Sequence, residues 1–259
     1  MDIVFIGAGR LATNLGRALS AAGHNIVQVY SRTMESAKTA AAIMGGTPTN
    51  DLTAISPKAD AYICAVADAA LAQILPTACK GKADKVWMHT AGSMPIDVFG
   101  GMAKHHGVLY PMQTFSKDTV ADFSHIPCFI EANDEQARQA ITTLATSVSD
   151  NVATLSSADR KHLHLAAVFA CNFANHCYAL AADIMQRHGM DFSALLPLID
   201  ETTRKVHLTN PAKAQTGPAV RYDENVIAAQ SQLLCDQPLA KKIYELMSLS
   251  IHDKATEQR

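Results

Sequence analysis

The segment Phe5-Ile6-Gly7-Ala8-Gly9-Arg10-Leu11-Ala12 holds the residue types that a phosphate-binding turn requires. Gly7 permits a tight turn, Gly9 lets backbone N–H groups approach a pyrophosphate, and Ala12 is small enough for a helix to pack closely on a strand. Ala8, Arg10 and Leu11 complete a G-x-G-x-x-A run, and the N-terminus of the helix that follows favours an anion, with Arg10 a second cation beside the phosphates. An apolar strand-like stretch precedes the run and an amphipathic one follows it. That context makes a dinucleotide site the expectation, with an ordinary strand-to-helix turn as the alternative. About twenty residues on, where an NAD site usually offers Asp or Glu to the ribose hydroxyls, the chain has Ser31-Arg32. A hydroxyl and a guanidinium suit a phosphate dianion, so NADP is expected over NAD. The competing roles are a helix cap for Ser31 and a solvated surface charge for Arg32.

A nucleotide lying across the carboxyl ends of the strands, as open α/β sheets require, would bring the loops beginning at Ala67, His89 and Tyr110 towards the nicotinamide, with Ala65, Val66 and Asp68 beside the cofactor. Hydride transfer is the cofactor's chemistry, so the chain has to position a carbonyl or imine and supply a proton. His89, Tyr110 and His164 are the candidate donors. Asn172 stands eight residues, about 2.2 helical turns, after His164, and the two read as a polar strip on an apolar helix. Such groups must be hydrogen-bonded or line a wet cleft; satisfied core or interface groups are the alternative. Orienting a loop competes with catalysis for His89, and packing beside Pro111 competes for Tyr110. Thr216 and Gly217, with Arg221 nearby, could receive a substrate carboxylate or simply connect two helices. His162 and His164 fall on different helix faces, and His105-His106 has no Cys or carboxylate at ligand spacing, so no metal is expected.

The elements that must position these groups are legible as periodicity. Short β-branched runs at 2–6, 25–30, 61–66, 85–89, 108–110, 128–131 and 152–155 alternate with helical patterns at 11–22, 34–44, 69–79 and 134–147. This is how βαβ units read. The expected fold is α/β, a Rossmann-type doubly wound and mainly parallel sheet over residues 1–155, followed by an all-α domain over 156–259. Ser156 and Asp159 have capping-box spacing, and neither Pro nor Gly follows until Gly189, which predicts one helix of about 30 residues. It is apolar on most sides and must be covered by the shorter helices expected at 192–206, 225–234 and 238–252 or by a second subunit. Residues 253–259 read as a frayed tail.

The 259 residues carry 22 Lys and Arg against 24 Asp and Glu, a net charge of -2, which argues against nucleic acid or an acidic membrane as partner. The longest apolar stretches are too short for a transmembrane helix, and the apolar residues at the N-terminus run straight into the glycine motif, so no signal peptide is expected. Six cysteines without a Cys-x-x-Cys pair read as free thiols in a cytoplasmic protein.

Further segments carry a family likeness. His89-Thr90-Ala91-Gly92-Ser93, Tyr110-Pro111-Met112-Gln113-Thr114-Phe115, the run from His164 to Phe173, and Thr216-Gly217-Pro218 with Arg221 and Asp223 resemble the H-T-S-G-S, H-P-L-Q-T-F, H-x-A-A-V-F-A-S-N-F and T-G-P/R-G-D segments of a family of Rossmann-like NADP oxidoreductases with a helical C-terminal domain of unknown function. Ala65-Val66-Ala67-Asp68 resembles the A-V-x-D of pyrroline-5-carboxylate reductases and the wider 6-phosphogluconate dehydrogenase-like group. The resemblance implies NADP binding and a homodimer. Tyr110, Tyr222 and Gln230 depart from the family pattern, and Val168 stands where β-hydroxyacid dehydrogenases have a lysine, which argues against their mechanism. The expectation is an NADP-dependent oxidoreductase acting on a small carbonyl or imine. The alternatives are a non-catalytic NADP-binding or redox-sensing protein and a pyrroline-5-carboxylate reductase-like enzyme.

Overall fold

The structure is a computed structural model that describes residues 1–116 and 119–257. Its first part is one eight-stranded sheet of β1 (Asp2–Ile6), β2 (Asn25–Tyr30), β3 (Thr47–Thr49), β4 (Ala61–Cys64), β5 (Val86–His89), β6 (His105–Pro111), β7 (Cys128–Ala132) and β8 (Val152–Thr154). The strand order is β3-β2-β1-β4-β5-β6-β7-β8. All neighbours are parallel except β6 and β7. The connecting helices are α1 (Arg10–Ala21), α2 (Met34–Met44), α3 (Asp68–Ala78) and α4 (Glu135–Thr146). The chain moves outward from β1 to β3 and then returns to β4 on the other side of β1. The order therefore reverses between β1 and β4, and the crevice at their carboxyl ends is where such sheets bind ligands.

Every residue of β4 and β5 is buried, as strands covered on both faces must be. The two faces divide β1 by alternation. Ile3 and Phe5 pack with Leu15 and Leu19 of α1 and with Ile141 and Leu144 of α4. Val4 and Ile6 pack with Leu71 and Leu75 of α3 and with Tyr62 and Trp87, whose rings stack at 4.3 Å. Both polar tips are satisfied, the Trp87 indole donating to the Lys82 carbonyl at 3.0 Å and the Tyr62 hydroxyl to that of Ser56 at 2.7 Å.

Two strand readings need correction. β3 is the segment Thr-Pro-Thr, whose proline is tolerated because the strand lies at the sheet edge. β6 begins three residues earlier than its apolar run, since Gly107 lets it approach the Glu131 carbonyl of β7 closely where a Cβ would collide.

The expected long helix is present as α5 (Ser157–Ala167), a π-helical stretch (Val168–Phe173) and α6 (Ala174–Arg187). Ser156 caps it, its Oγ accepting from the Asp159 N–H at 3.1 Å and donating to the Asp159 carboxylate at 2.7 Å. The chain forms two compact units, Met1–Cys171 and Asn172–Arg259, so the division falls inside this helix and not near residue 155. The reason is an ion pair that fastens α5 to the sheet, Arg160 to Glu131 of β7 at 2.6 Å.

The second unit continues with α7 (Leu196–Leu208), α8 (Pro211–Ala214), α9 (Pro218–Arg221), α10 (Glu224–Gln232) and α11 (Pro238–Thr256). α11 continues through Thr256 where a frayed tail was expected; residues 258 and 259 of that tail lie outside the described residues. No apolar run was expected to reach the length of a membrane span, yet one helix passes that test by length and composition alone, as the core helix of a soluble protein also can. Ser157–Arg187 is long and apolar enough by length and composition, with a mean hydropathy of 1.3 in its most apolar stretch, none of it buried. Leu165, Tyr178 and Ile184 are among its exposed residues. Cys64, Cys79 and Cys128 are buried, whereas Cys171, Cys177 and Cys235 are exposed, and all six are free thiols.

Candidate active site

The glycine motif lies at the strand-order reversal. Gly7 has φ +125°, a conformation that disfavours any L side chain, and a Cβ there would run into the Ala65 backbone at the end of β4. Its N–H donates to the Tyr30 carbonyl at 2.9 Å, which draws β1, β2 and β4 together under the turn. A Cβ on Gly9 would meet nothing within 4 Å, so this face of the turn is open. Gly9 is also the N-cap of α1, with no side-chain cap and no acidic residue in the first turn, which leaves helix N–H groups available to an anion. Ala12 is buried against the sheet, and Leu11 packs at the margin of the same core.

Two adjoining cavities share Ala8, Gly9 and Ser36. One, of about 480 Å³, is bounded by Gly7, Ser31, Arg32, Val66 and Ile74. The other, of about 400 Å³, is lined by Arg10, Thr13, Glu35 and Ser116. Among the described residues no carboxylate is paired with Arg10 or Arg32. The cap of α2 is Thr33, which accepts from the Ser36 N–H, so capping does not occupy Ser31. An open glycine face, an uncapped helix N-terminus and two unpaired guanidinium groups fit the pyrophosphate and the extra phosphate of NADP.

The groups offered for proton transfer divide sharply. His89 ends β5 fully buried, its Nδ1 accepting from the Ala91 N–H at 3.1 Å and its ring stacked on Phe99. Burial pushes its pKa down to about 4, the Arg160 charge adding to the effect. A neutral, enclosed imidazole has no proton to deliver at neutral pH, so His89 holds the Ala91 loop. Tyr110, near the end of β6, is 7 % exposed, and its hydroxyl lies 3.0 Å from Nδ1 of His164 in a hydrogen bond. Burial raises the Tyr110 pKa and the Arg160 charge opposes this. His164 is half-buried. A Cβ on Gly92 would come within 2.6 Å of its ring, so the Ala91-Gly92 loop forms a floor on which only glycine leaves room for the imidazole.

Other expected site residues stand elsewhere. Asp68, offered for the cofactor, opens α3 and accepts a hydrogen bond from Ser93, so it ties two loops together. Asn172 is exposed in the second unit and is not a buried polar group. Thr216, Gly217 and Arg221 are exposed in that unit too, Gly217 heading the single turn α9. A cavity of about 460 Å³ near them takes its cations from Lys213 and Lys254, with Gln215, Met247 and Ser250, and not from Arg221. Tyr222, which replaces the glycine of R-G-D, has φ +51° and packs against His252 with the rings tilted by 40° and 4.9 Å between their centres. The left-handed backbone explains why a glycine suits that position.

Sequence reasoning missed Arg160, Glu131, Ser157 and Asn14. Asn14 donates to the Arg10 and Ser116 carbonyls at 2.9 and 3.3 Å and accepts from the Ala121 N–H at 3.1 Å, tying Ser116 and Ala121 to α1. The available signal for Arg160 was its place four residues before His164, one turn along the same helix face.

The reversal in strand order, the open glycine turn and the unpaired arginines define a Rossmann-type nucleotide-binding protein. Residues 2–88 match the family described as NADP oxidoreductase coenzyme F420-dependent, and residues 126–251 match a domain of unknown function, DUF2520. The chain is similar to the "putative NADP oxidoreductase BF3122" of Bacteroides fragilis, with 49 % identity over 97 % of this chain and 98 % of that one and a TM-score of 0.93. Protein TM1727 of Thermotoga maritima is 21 % identical over 98 % and 99 %, with a TM-score of 0.76. The pyrroline carboxylate reductase of Plasmodium falciparum, solved with NADP bound, shares the fold at 11 % identity over 100 % and 97 %, with a TM-score of 0.59. No curated protein matches. The chain belongs to the NADP oxidoreductase family that joins these two domains.

Proposed function

We propose that the protein reduces a small carbonyl or imine with NADPH, and that Tyr110 and His164 handle the proton. NADPH supplies the hydride when bound. Gly7, Ala8, Gly9 and Arg10 would receive the pyrophosphate, Ser31 and Arg32 the extra phosphate, and Ala65 and Val66 the adjoining adenosine. The observation that carries the reading is the 3.0 Å bond between the Tyr110 hydroxyl and His164 Nδ1 above Gly92, at the carboxyl end of the sheet. Burial favours the protonated phenol, so Tyr110 donates and the proton of a neutral His164 lies on Nε2. As hydride arrives, the Nε2 proton of His164 passes to the carbonyl oxygen or imine nitrogen while the Tyr110 hydroxyl proton moves to Nδ1, so the ring stays neutral throughout. Solvent then returns a proton to Tyr110, whose hydroxyl fixes the ring between turnovers.

The test is NADPH oxidation against a panel of small carbonyls and cyclic imines, 1-pyrroline-5-carboxylate included. His164→Ala should lower kcat by roughly 10²–10⁴, the usual contribution of a positioned acid, at unchanged NADPH affinity. Gly92→Ala should lower kcat in the same way by displacing the ring. A protein that turns over none of these, yet changes its association state when NADPH is added, would be a sensor and not an enzyme. The exposed apolar residues Leu165, Tyr178 and Ile184 support a homodimer formed through the helical half. Six free thiols support a reducing, cytoplasmic setting. Near-balanced charge supports a small-molecule substrate over nucleic acid or membrane.

A further inference from the structure

Arg160 is 1 % exposed and lies one turn before His164 on α5. Its Nη1 donates to Glu131 at 2.6 Å, and its Nη2 donates to the Met94 carbonyl at 2.6 Å and to Ser157 Oγ at 3.2 Å. Ser157 closes the network. Its N–H and hydroxyl donate to the two Glu131 oxygens at 2.9 and 2.7 Å, and its Oγ accepts from the Ile96 N–H at 2.9 Å. One guanidinium thus locks three segments together: β7 through Glu131, the loop beyond Gly92 through Met94 and Ile96, and the first turn of α5. Those segments hold the His164 ring and the floor beneath it. A second line points the same way, because the Arg160 charge acts on both Tyr110 and His89. Stability alone gives little reason for the pair, since well-packed apolar residues of similar volume are often as stable as a buried ion pair.

We propose that Arg160, held by Glu131 and Ser157, is a positioning residue that sets the His164 ring against the Tyr110 hydroxyl and so decides which ring nitrogen carries the proton. The proposal deepens the reading of His164 as proton donor and rests on it for its catalytic meaning. Its own test needs no substrate.

The tautomer of His164 is read from ¹⁵N ring shifts of the full-length protein above the ordinary imidazole range, with His164→Gln used to assign the signals. In the parent protein the Nε2–H form should exceed that of a solvent-exposed histidine by at least about tenfold, the order of one well-made hydrogen bond. Arg160→Met should return the ratio to that of an exposed histidine. Ser157→Ala, which leaves the Arg160–Glu131 pair in place and guards against loss of folding in the first variant, should lower it partway, and Ser157→Thr should restore it. A folded Arg160→Met or Ser157→Ala protein with the parent's tautomer ratio overturns the proposal and leaves Arg160 as a helix anchor. If the ratio collapses as expected while His164→Ala keeps full turnover, the positioning stands and the donor role falls.

Discussion

Arg32 and His89 give the sharpest expectations at the scale of single residues. Arg32 has no carboxylate partner among the described residues and borders the cavity beside Gly7. Arg32→Ala should weaken NADPH binding by roughly 1.5–3 kcal/mol, the worth of hydrogen bonds to a charged group. NADH binding should be unchanged, and calorimetry with both nucleotides measures the two. Loss of both affinities together would place Arg32 elsewhere than at the extra phosphate. His89 yields a pH dependence. The unfolded chain protonates this imidazole near 6.5, whereas the folded protein keeps it neutral down to about 4. Its contribution to stability is therefore complete above pH 6.5 and is lost as pH falls towards 4, by roughly 3 kcal/mol at 1.36 kcal/mol per unit. His89→Gln should flatten the unfolding free energy across that window relative to the parent, measured by urea titration at several pH values. An unaltered slope would mean that the histidine is hydrated. Gly7, Gly9 and Ser31-Arg32 could be singled out beforehand because a phosphate turn is a local motif. The quenching of His89 could not, because burial is a property of the surrounding sheet.

Among the elements, α5 shows how local and long-range signals combine. The Ser156–Asp159 capping box is a four-residue pattern, and its hydrogen bonds form as the spacing predicts. Ser156→Ala should cost about 1 kcal/mol, the usual worth of an N-cap, seen as a lower urea midpoint with an unchanged slope. A loss well beyond that would mean that the cap also holds the Glu131–Arg160 cluster. The neighbouring π stretch, Val168–Phe173, left no mark in the hydrophobic pattern, because apolar residues continue through it. Such stretches arise from packing and occur often at functional sites. The edge strand β3 escaped notice for a related reason. Its backbone pairs with β2, but it is three residues long with a proline at its centre, and a proline within so short a run argues against a strand.

For the whole molecule, the exposed apolar residues of the long helix set the main expectation. A helix with Leu165, Tyr178 and Ile184 in solvent suits association better than a monomer. Analytical ultracentrifugation at micromolar concentration should give twice the 27.7 kDa chain mass. A dilution-independent monomer would remove the homodimer, and partition into detergent micelles or lipid would assign the apolar residues to a membrane. Against the latter stands Arg160, whose pairing with Glu131 holds the first turns of that helix on the sheet.

By itself the sequence determined the strand and helix alternation of the first half, the glycine turn, the presence of Ser31-Arg32 where an acidic residue is usual, and the single long helix after Ser156. Each of these is written in neighbouring residues, through period-two and period-3.6 patterns, turn glycines and caps. The tertiary structure decided what depends on residues distant in the chain. It took His89 out of proton chemistry by burying it, joined Tyr110 to His164 across 54 positions, and moved the division between units into the long helix. It also revealed Arg160, Glu131 and Ser157 as one cluster. The physical reason is that a hydrogen bond, a desolvated charge and a close approach over glycine are all set by the groups that meet in space, and no periodicity along the chain records those meetings.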